Sequence, residues 1–196
     1  MAEEQDPGAR GRGRPRSAQA DSAIREAAWR ILAERGFEGL TIEGVAERAG
    51  CSRTTLYRRF ASKLELVGTI LYETSRAMEP QLSEAAEPRD ILIAHATVFA
   101  SYMAGSRGGA LIGLTQAAAR HPELGATMTR YMIGEREYCY AAFRRIAPPT
   151  IAAERMAYIF DTLVGSVMFH VGMSGRELTG DQIAELVDMV LPLLQR

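Results

Sequence analysis

The sequence predicts an all-α protein: an N-terminal three-helix helix-turn-helix domain followed by a C-terminal helical domain, about nine helices in all. Two observations lead there. No stretch sustains the apolar/polar alternation of a half-buried strand, and nearly every apolar run repeats with a period near 3.6 residues. In addition, 47% of the 196 residues are hydrophobic, which is enough for a substantial core and argues against global disorder.

Taken in order, residues 1–20 are rich in Gly, Arg, Pro and acidic residues, show no helical period and predict a disordered basic arm. Within them Gly11-Arg12-Gly13-Arg14-Pro15-Arg16 resembles the arginine-glycine-arginine core of AT-hook peptides. Glycine lets such a segment lie flat in a narrow minor groove, whose negative potential draws in Arg12 and Arg14. A solvated tail is the alternative. A first helix is predicted from about Asp21 to Arg35, with Ile24, Ala27, Ala28, Ile31 and Leu32 inward and Gly36 as its stop. Trp29 lies beside that stripe, at the seam with a later helix.

The next stretch, Thr41 to Lys63, carries the functional signal. Ile42, Val45, Ala46 and Ala49 fall at i, i+3, i+4 and i+7, the apolar face of a two-turn helix with Thr41 as N-cap. Gly50 can take the positive φ needed just past a helix end. Ser52 caps a second helix over residues 52–60, in which Leu56 and Phe60 point inward while Arg53, Thr54, Tyr57 and Arg58 face out. Such a unit suits a reader of the major groove. Arginine can bind guanine with two hydrogen bonds, and threonine can bond a base edge or touch a methyl group. Ser62-Lys63-Leu64-Glu65 matches the capping box of a further helix, extending to about Met78. Lys63, the single lysine in the chain, stands at the start of that helix, where it suits a phosphate contact.

These residues carry a family resemblance. The run AAWRILAERGFEGLTIEGVAERAGCSRTTLYRRFASKLELV resembles the DNA-binding region of the tetracycline-repressor (TetR) family of transcriptional regulators. The similarity lies in the AERGF end of the first helix, Thr41, the A-G-C-S turn, the T-L-Y-R-R-F helix and Ser62-Lys63, and it covers about a quarter of the chain. It implies that Thr41, Tyr57 and Lys63 hold the DNA backbone, and that Arg53, Thr54, Thr55 and Arg58 are the base readers. It also implies a two-fold dimer formed by the last helices.

Pro80 and Pro88 bracket a polar linker. Apolar-rich helical segments follow near residues 89–105, 108–120, 122–146 and 150–173, separated by Gly105/Gly108/Gly109, His121-Pro122, Pro148-Pro149 and Gly172 with Gly175. A last helix opens at the capping box Thr179-x-x-Gln182 and shows Ile183, Leu186, Val187, Val190, Leu191 and Leu194 on one face. The 150–173 segment is apolar on more than one side, and Gly165 and Ser166 would let a neighbour approach. Phe160, Val164, Met168 and Val171, with Ile183, Leu186, Val187 and Val190, are therefore the expected dimer interface. Packing within one subunit is the alternative.

A second expectation is an effector cavity. His95, Phe99 and Tyr102 share one helical stripe; Met128, Tyr131, Met132 and Glu135 share another; His170 continues a third. A few polar groups among Met, Tyr and Phe suit a small-molecule pocket, although inward histidines also serve as hydrogen-bonded core residues. A small all-α enzyme using His95, Glu135 and His170 is the rival from another class. Against it stands the lack of a nucleophile–base motif, a glycine-rich phosphate loop or metal-ligand spacing, so neither an enzyme nor a cofactor is expected.

Charge supports the division of labour. Net charge is only −1, yet residues 10–63 hold twelve Lys or Arg against six Asp or Glu, and residues 64–196 hold eleven against fifteen. Cys51 and Cys139 make no disulfide framework. No apolar run approaches the ~20 residues of a membrane span, and the polar N-terminus lacks a signal-peptide core, which predicts a cytoplasmic protein. The expected organisation is an arm over 1–20, a DNA-binding domain over 21–66 and a ligand-binding and dimerisation domain over 67–196. The expected function is that of a dimeric repressor on a palindromic operator, released by a small molecule. A DNA-binding dimer without an effector is the nearest alternative.

Overall fold

A computed structural model describes residues 14–83 and 85–195, with side chains included except for 14–18 and 132–135. Arg12 lies outside the described residues, as do the side chains of Arg14, Met132 and Glu135. Among the described residues there are nine α-helices and no strand.

Helix α1 (Arg14–Arg35) begins seven residues before the expected start. Pro15 sits in its first turn, where the missing N–H has no intrahelical partner to lose, and no glycine interrupts the run that follows. Its stripe Ile24, Ala27, Ala28, Ile31 and Leu32 is buried as expected, and so is Trp29, whose indole Nε1 donates to Thr74 Oγ1 at 3.3 Å. The helix stops at Gly36, which has φ +66°.

Helices α2 (Ile42–Arg48) and α3 (Arg53–Tyr57) form the hairpin, and α4 (Lys63–Met78) closes the head. Helix α4 buries Leu66, Val67, Ile70, Leu71, Thr74 and Met78 and packs against both α1 and α7. It therefore belongs to the head and to the body at once.

The body holds α5 (Pro88–Met103), α6 (Ser106–Ala118), α7 (Pro122–Arg144), α8 (Ala153–Val167) and α9 (Gly180–Val190). Proline opens α5 and α7, where its fixed φ is pre-organised for a helix. A π-helical turn, Met168–Met173, continues α8, and a 3₁₀ turn, Leu191–Gln195, continues α9. The capping box at α9 is complete: Gln182 N donates to Thr179 Oγ1 at 3.2 Å, and Thr179 N donates to Gln182 Oε1 at 3.0 Å. A bidentate pair from Arg89 to Asp188, at 2.6 and 2.8 Å, ties α5 to α9. Together α8 and the π turn, Ala153–Met173, are long and apolar enough by composition to cross a membrane, longer than the apolar runs anticipated. Their stripe Met156, Ile159, Phe160, Leu163 and Val167 is instead buried in the bundle against α5, α7 and α9.

That burial corrects the expected dimer interface. Phe160, Val171, Ile183, Val187 and Val190 are buried inside their own subunit, whereas Val164, Met168 and Leu186 are only half-buried, Val164 and Met168 lining a pocket. Helices α8 and α9 pack on α5, and the body needs their most apolar faces for its core.

The α5–α6 corner is tight. A Cβ on Gly108 would lie 2.2 Å from the Met103 carbonyl oxygen, a backbone atom that cannot yield locally. Gly108→Ala should therefore destabilise the protein by about 1–3 kcal/mol in urea unfolding, as overpacking does. An unchanged midpoint would contradict this reading of the corner.

Candidate functional site

Local chemistry builds the hairpin. Thr41 Oγ1 accepts from Gly44 N at 3.0 Å and so starts α2. Gly50 reverses the chain with φ +67°, and Cys51 N donates back to Ala46 O at 3.0 Å. Ser52 Oγ accepts from Thr55 N at 3.1 Å and starts α3. Helix α3 is shorter than the expected 52–60, because the chain bends after Tyr57 to turn Phe60 toward the core, with Phe60 N donating to Leu56 O at 2.8 Å. Leu56 is fully buried behind it.

With Leu56 inward, Arg53, Thr54, Tyr57 and Arg58 stand in solvent, and Tyr57 is 52% exposed. Thr55 is half-buried and its hydroxyl lies 2.8 Å from Ser52 Oγ, which gives it a capping role as well. The Tyr57 hydroxyl donates to the Glu43 carboxylate of α2, locking the two helices across the exposed face. That bond holds the Glu43 pKa below the usual carboxylate range and raises that of Tyr57. Arg59 turns away and pairs with Asp21 of α1. Sequence reasoning missed both partnerships: Glu43 and Asp21 stand 14 and 38 residues from their partners, outside any helical period.

Lys63 also makes contacts within the chain. Its Nζ donates to the Phe37 carbonyl at 3.2 Å and lies 4.1 Å from the centre of the Phe37 ring. The ammonium thus pins the α1–α2 turn to the start of α4. Phe37 also lies 5.2 Å from the ring of His121, which bonds to Glu38, so head and body meet at this point.

The second candidate site is a pocket of about 260 Å³ in the body, open to solvent on the side of Thr115. His95, Phe99, Met128 and Tyr131 line it as expected, joined by Leu111, Thr115, Phe160, Val164 and Met168. His95 stacks on Tyr138 at 5.8 Å. Two expected residues are placed elsewhere. Tyr102, one turn beyond Phe99, packs edge-on against Trp29 at 6.2 Å on the other side of α5. His170 lies in the π turn, with Nδ1 2.9 Å from the Ser166 carbonyl. Thr115 and Leu111 come from α6, a helix whose sequence carried no polar signal toward the cavity. Among the described residues no three His, Cys, Asp or Glu side chains converge as a metal site would require.

A glycine-turned helix pair with a bare Arg/Thr/Tyr face, mounted on an all-helical body, defines a helix-turn-helix regulator. Residues 24–70 match the model of the bacterial regulatory proteins, tetR family, so this part of the chain is a TetR-type DNA-binding region. It is 34% identical to the HTH-type transcriptional regulator YdeS of Bacillus subtilis over 52% of its own length and 50% of the relative's, so that match spans about half of each chain. It is 27% identical to the HTH-type transcriptional regulator Rv1556 of Mycobacterium tuberculosis over 85% of its own length and 84% of the relative's. The fold is that of a TetR-family regulator from Rhodococcus sp. (TM-score 0.74, 18% identity, covering 91% of this chain and 100% of that one). It is also that of GusR from Salmonella enterica (TM-score 0.72, 17% identity, covering 94% and 99%).

Lys63→Met keeps the aliphatic stem but loses the carbonyl bond and the ring contact. It should lower stability by about 1 kcal/mol in denaturant unfolding. A neutral effect would show that the ammonium does not tie the turn to α4.

Proposed function

We propose that the protein is a dimeric transcriptional repressor that binds a palindromic operator and is released by a small-molecule effector. The observation that carries the DNA half is the exposed face of α3: Arg53, Thr54, Tyr57 and Arg58 project together while Leu56 anchors the helix from behind. Arg53, Thr54 and Arg58 read base edges, with Thr55 beside them. Thr41, Ser52, Tyr57 and Lys63 contact the backbone, while Arg12 of the arm and Arg14 at the first residue of α1 reach the flanking minor groove. Glu43 is a positioning residue: its bond to Tyr57 sets the phenol's direction in the free protein.

Dimerisation uses the outer face of α8 and α9, not the residues already committed to the subunit core. Tyr158, Phe169, Met173 and Met189 are 66, 52, 64 and 61% exposed, and Gly165 lies on the same side with open space where a Cβ would stand. Large apolar side chains left in water on these helices support a subunit contact. A two-fold axis then sets the two α3 helices about 34–36 Å apart, or a multiple of that, to match successive major grooves.

The cavity supports the effector half. Its walls are nearly all apolar, with His95, Thr115 and Tyr131 able to orient a ligand. Met128 and Tyr131 belong to α7, which packs on α4, so a ligand that shifts α7 acts on the head through one helix. Release needs a differential affinity of only ~1–3 kcal/mol between two head separations.

Selection of operators from a random duplex pool tests this. The parent protein should yield a two-fold site, Arg53→Ala should lose about 1–3 kcal/mol of discrimination at one position per half-site, and Tyr57→Ala should weaken all sites alike. A Tyr57→Ala protein with altered base preference and unchanged overall affinity would overturn the assignment, as would an unselective parent.

A further inference from the structure

A second concavity lies outside the effector cavity, on the far side of α5. It has a volume of about 580 Å³, within the ~300–1,000 Å³ typical of small-molecule sites. Its position is unusual because α1 and α4 of the head supply one wall and α5 and α6 of the body the other. The almost wholly buried indole of Trp29 forms its base, beside the half-buried Val98 and Tyr102. Trp29 and Tyr102 meet edge-to-face, interplanar angle 77°, so the buried indole backs the site while the half-buried Tyr102 and Val98 present its accessible floor.

The rim is charged, and the charges do not balance. Arg25 pairs with Glu73 at 2.9 Å and Arg107 with Glu26 at 2.7 Å, whereas Arg76 bonds only weakly, at 3.5 Å, to the phenol of Tyr72. Among the described residues Arg76 forms no direct ion pair, and only the nearby charge of Glu79 acts on it, so of the three arginines on the rim it is the one whose guanidinium is left for an incoming anion. Guanidinium is suited to a carboxylate or sulfonate, which it can grip with two parallel hydrogen bonds.

We infer that the cleft between head and body is a second ligand site, which takes a flat aromatic monoanion with its ring on Val98 and Tyr102, close to the buried Trp29, and its acid group on Arg76. An occupant would touch α1 and α4 on one side and α5 and α6 on the other, and so would restrain the head against the body. The inference does not require the body pocket to bind anything, since the two share no lining residue.

Trp29, the only tryptophan in the chain, reports on this site directly. The full-length protein is titrated with 1-anilinonaphthalene-8-sulfonate and, separately, with N-phenyl-1-naphthylamine, the same ring system without the sulfonate, and energy transfer from Trp29 is followed. The sulfonate probe should bind about one per chain and at least ten-fold more tightly than the neutral one. Arg76→Gln should remove that preference, and Arg76→Lys should restore part of it. Val164→Phe, which fills the body pocket, should leave the sulfonate titration unchanged. Equal affinity for the two probes, or a sulfonate signal lost in Val164→Phe and kept in Arg76→Gln, would overturn the proposal. A failed operator selection would bear on DNA recognition alone, because this titration contains no DNA.

Discussion

The structure depends on α4 joining head and body through one apolar face of a single continuous core. Leu66, Val67 and Ile70 complete the head under α1, and Leu71, Thr74 and Met78 continue the same face to the junction with the body. A rigid helix cannot shift at one end without moving at the other, because packed interiors do not deform continuously. Head and body are therefore mechanically joined, and the contacts beside α4 define that joint: Trp29 to Thr74, Arg25 to Glu73, and Lys63 to Phe37. His121 adds a body contact to the same turn through Phe37 and Glu38.

The recognition surface follows from similar economy in the head. Helix α3 is five residues long, too short to be stable alone, and exists because Ser52 caps it and Leu56 is buried behind it. A helix held by one buried side chain leaves the rest of its girth outside, and the sequence fills that girth with Arg, Thr and Tyr. Glu43 is the exception, a carboxylate beside a face meant for phosphates. Its bond to Tyr57 explains its presence and gives the free protein a fixed arrangement of side chains.

Much of this was legible in the sequence, for identifiable reasons. Caps and glycine turns act over three or four residues, so Thr41, Gly50, Ser52 and Thr179 could be read directly, and each makes the bond its position implies. Apolar periodicity located every body helix to within a few residues. It could not say which of two apolar faces meets the subunit core. Phe160 and Val171 fitted an interface as well as an interior, and only the packing of α8 and α9 on α5 distinguishes them. The cavity was half visible for the same reason: His95, Phe99, Met128 and Tyr131 converge, but the angular difference between Phe99 and Tyr102 on one helix sends them to opposite sides of α5. Pairings such as Tyr57–Glu43 and Arg59–Asp21 depend on tertiary distance and leave no local trace.

The central claim is that a DNA duplex covers the bare face of α3, and the salt dependence of duplex binding tests it most directly. If Arg53, Arg58 and the neighbouring cations meet phosphates and bases, log affinity should fall linearly with log salt, with a slope of about −0.9 per phosphate neutralised. Replacing Lys63, the cation assigned to a phosphate, with Gln should then make that slope shallower by about one per subunit, whereas Arg58→Gln should chiefly lower selectivity. A protein that ignores duplex DNA at low salt, or whose operator affinity is unaffected by Arg58→Gln and Arg53→Gln together, would contradict the account.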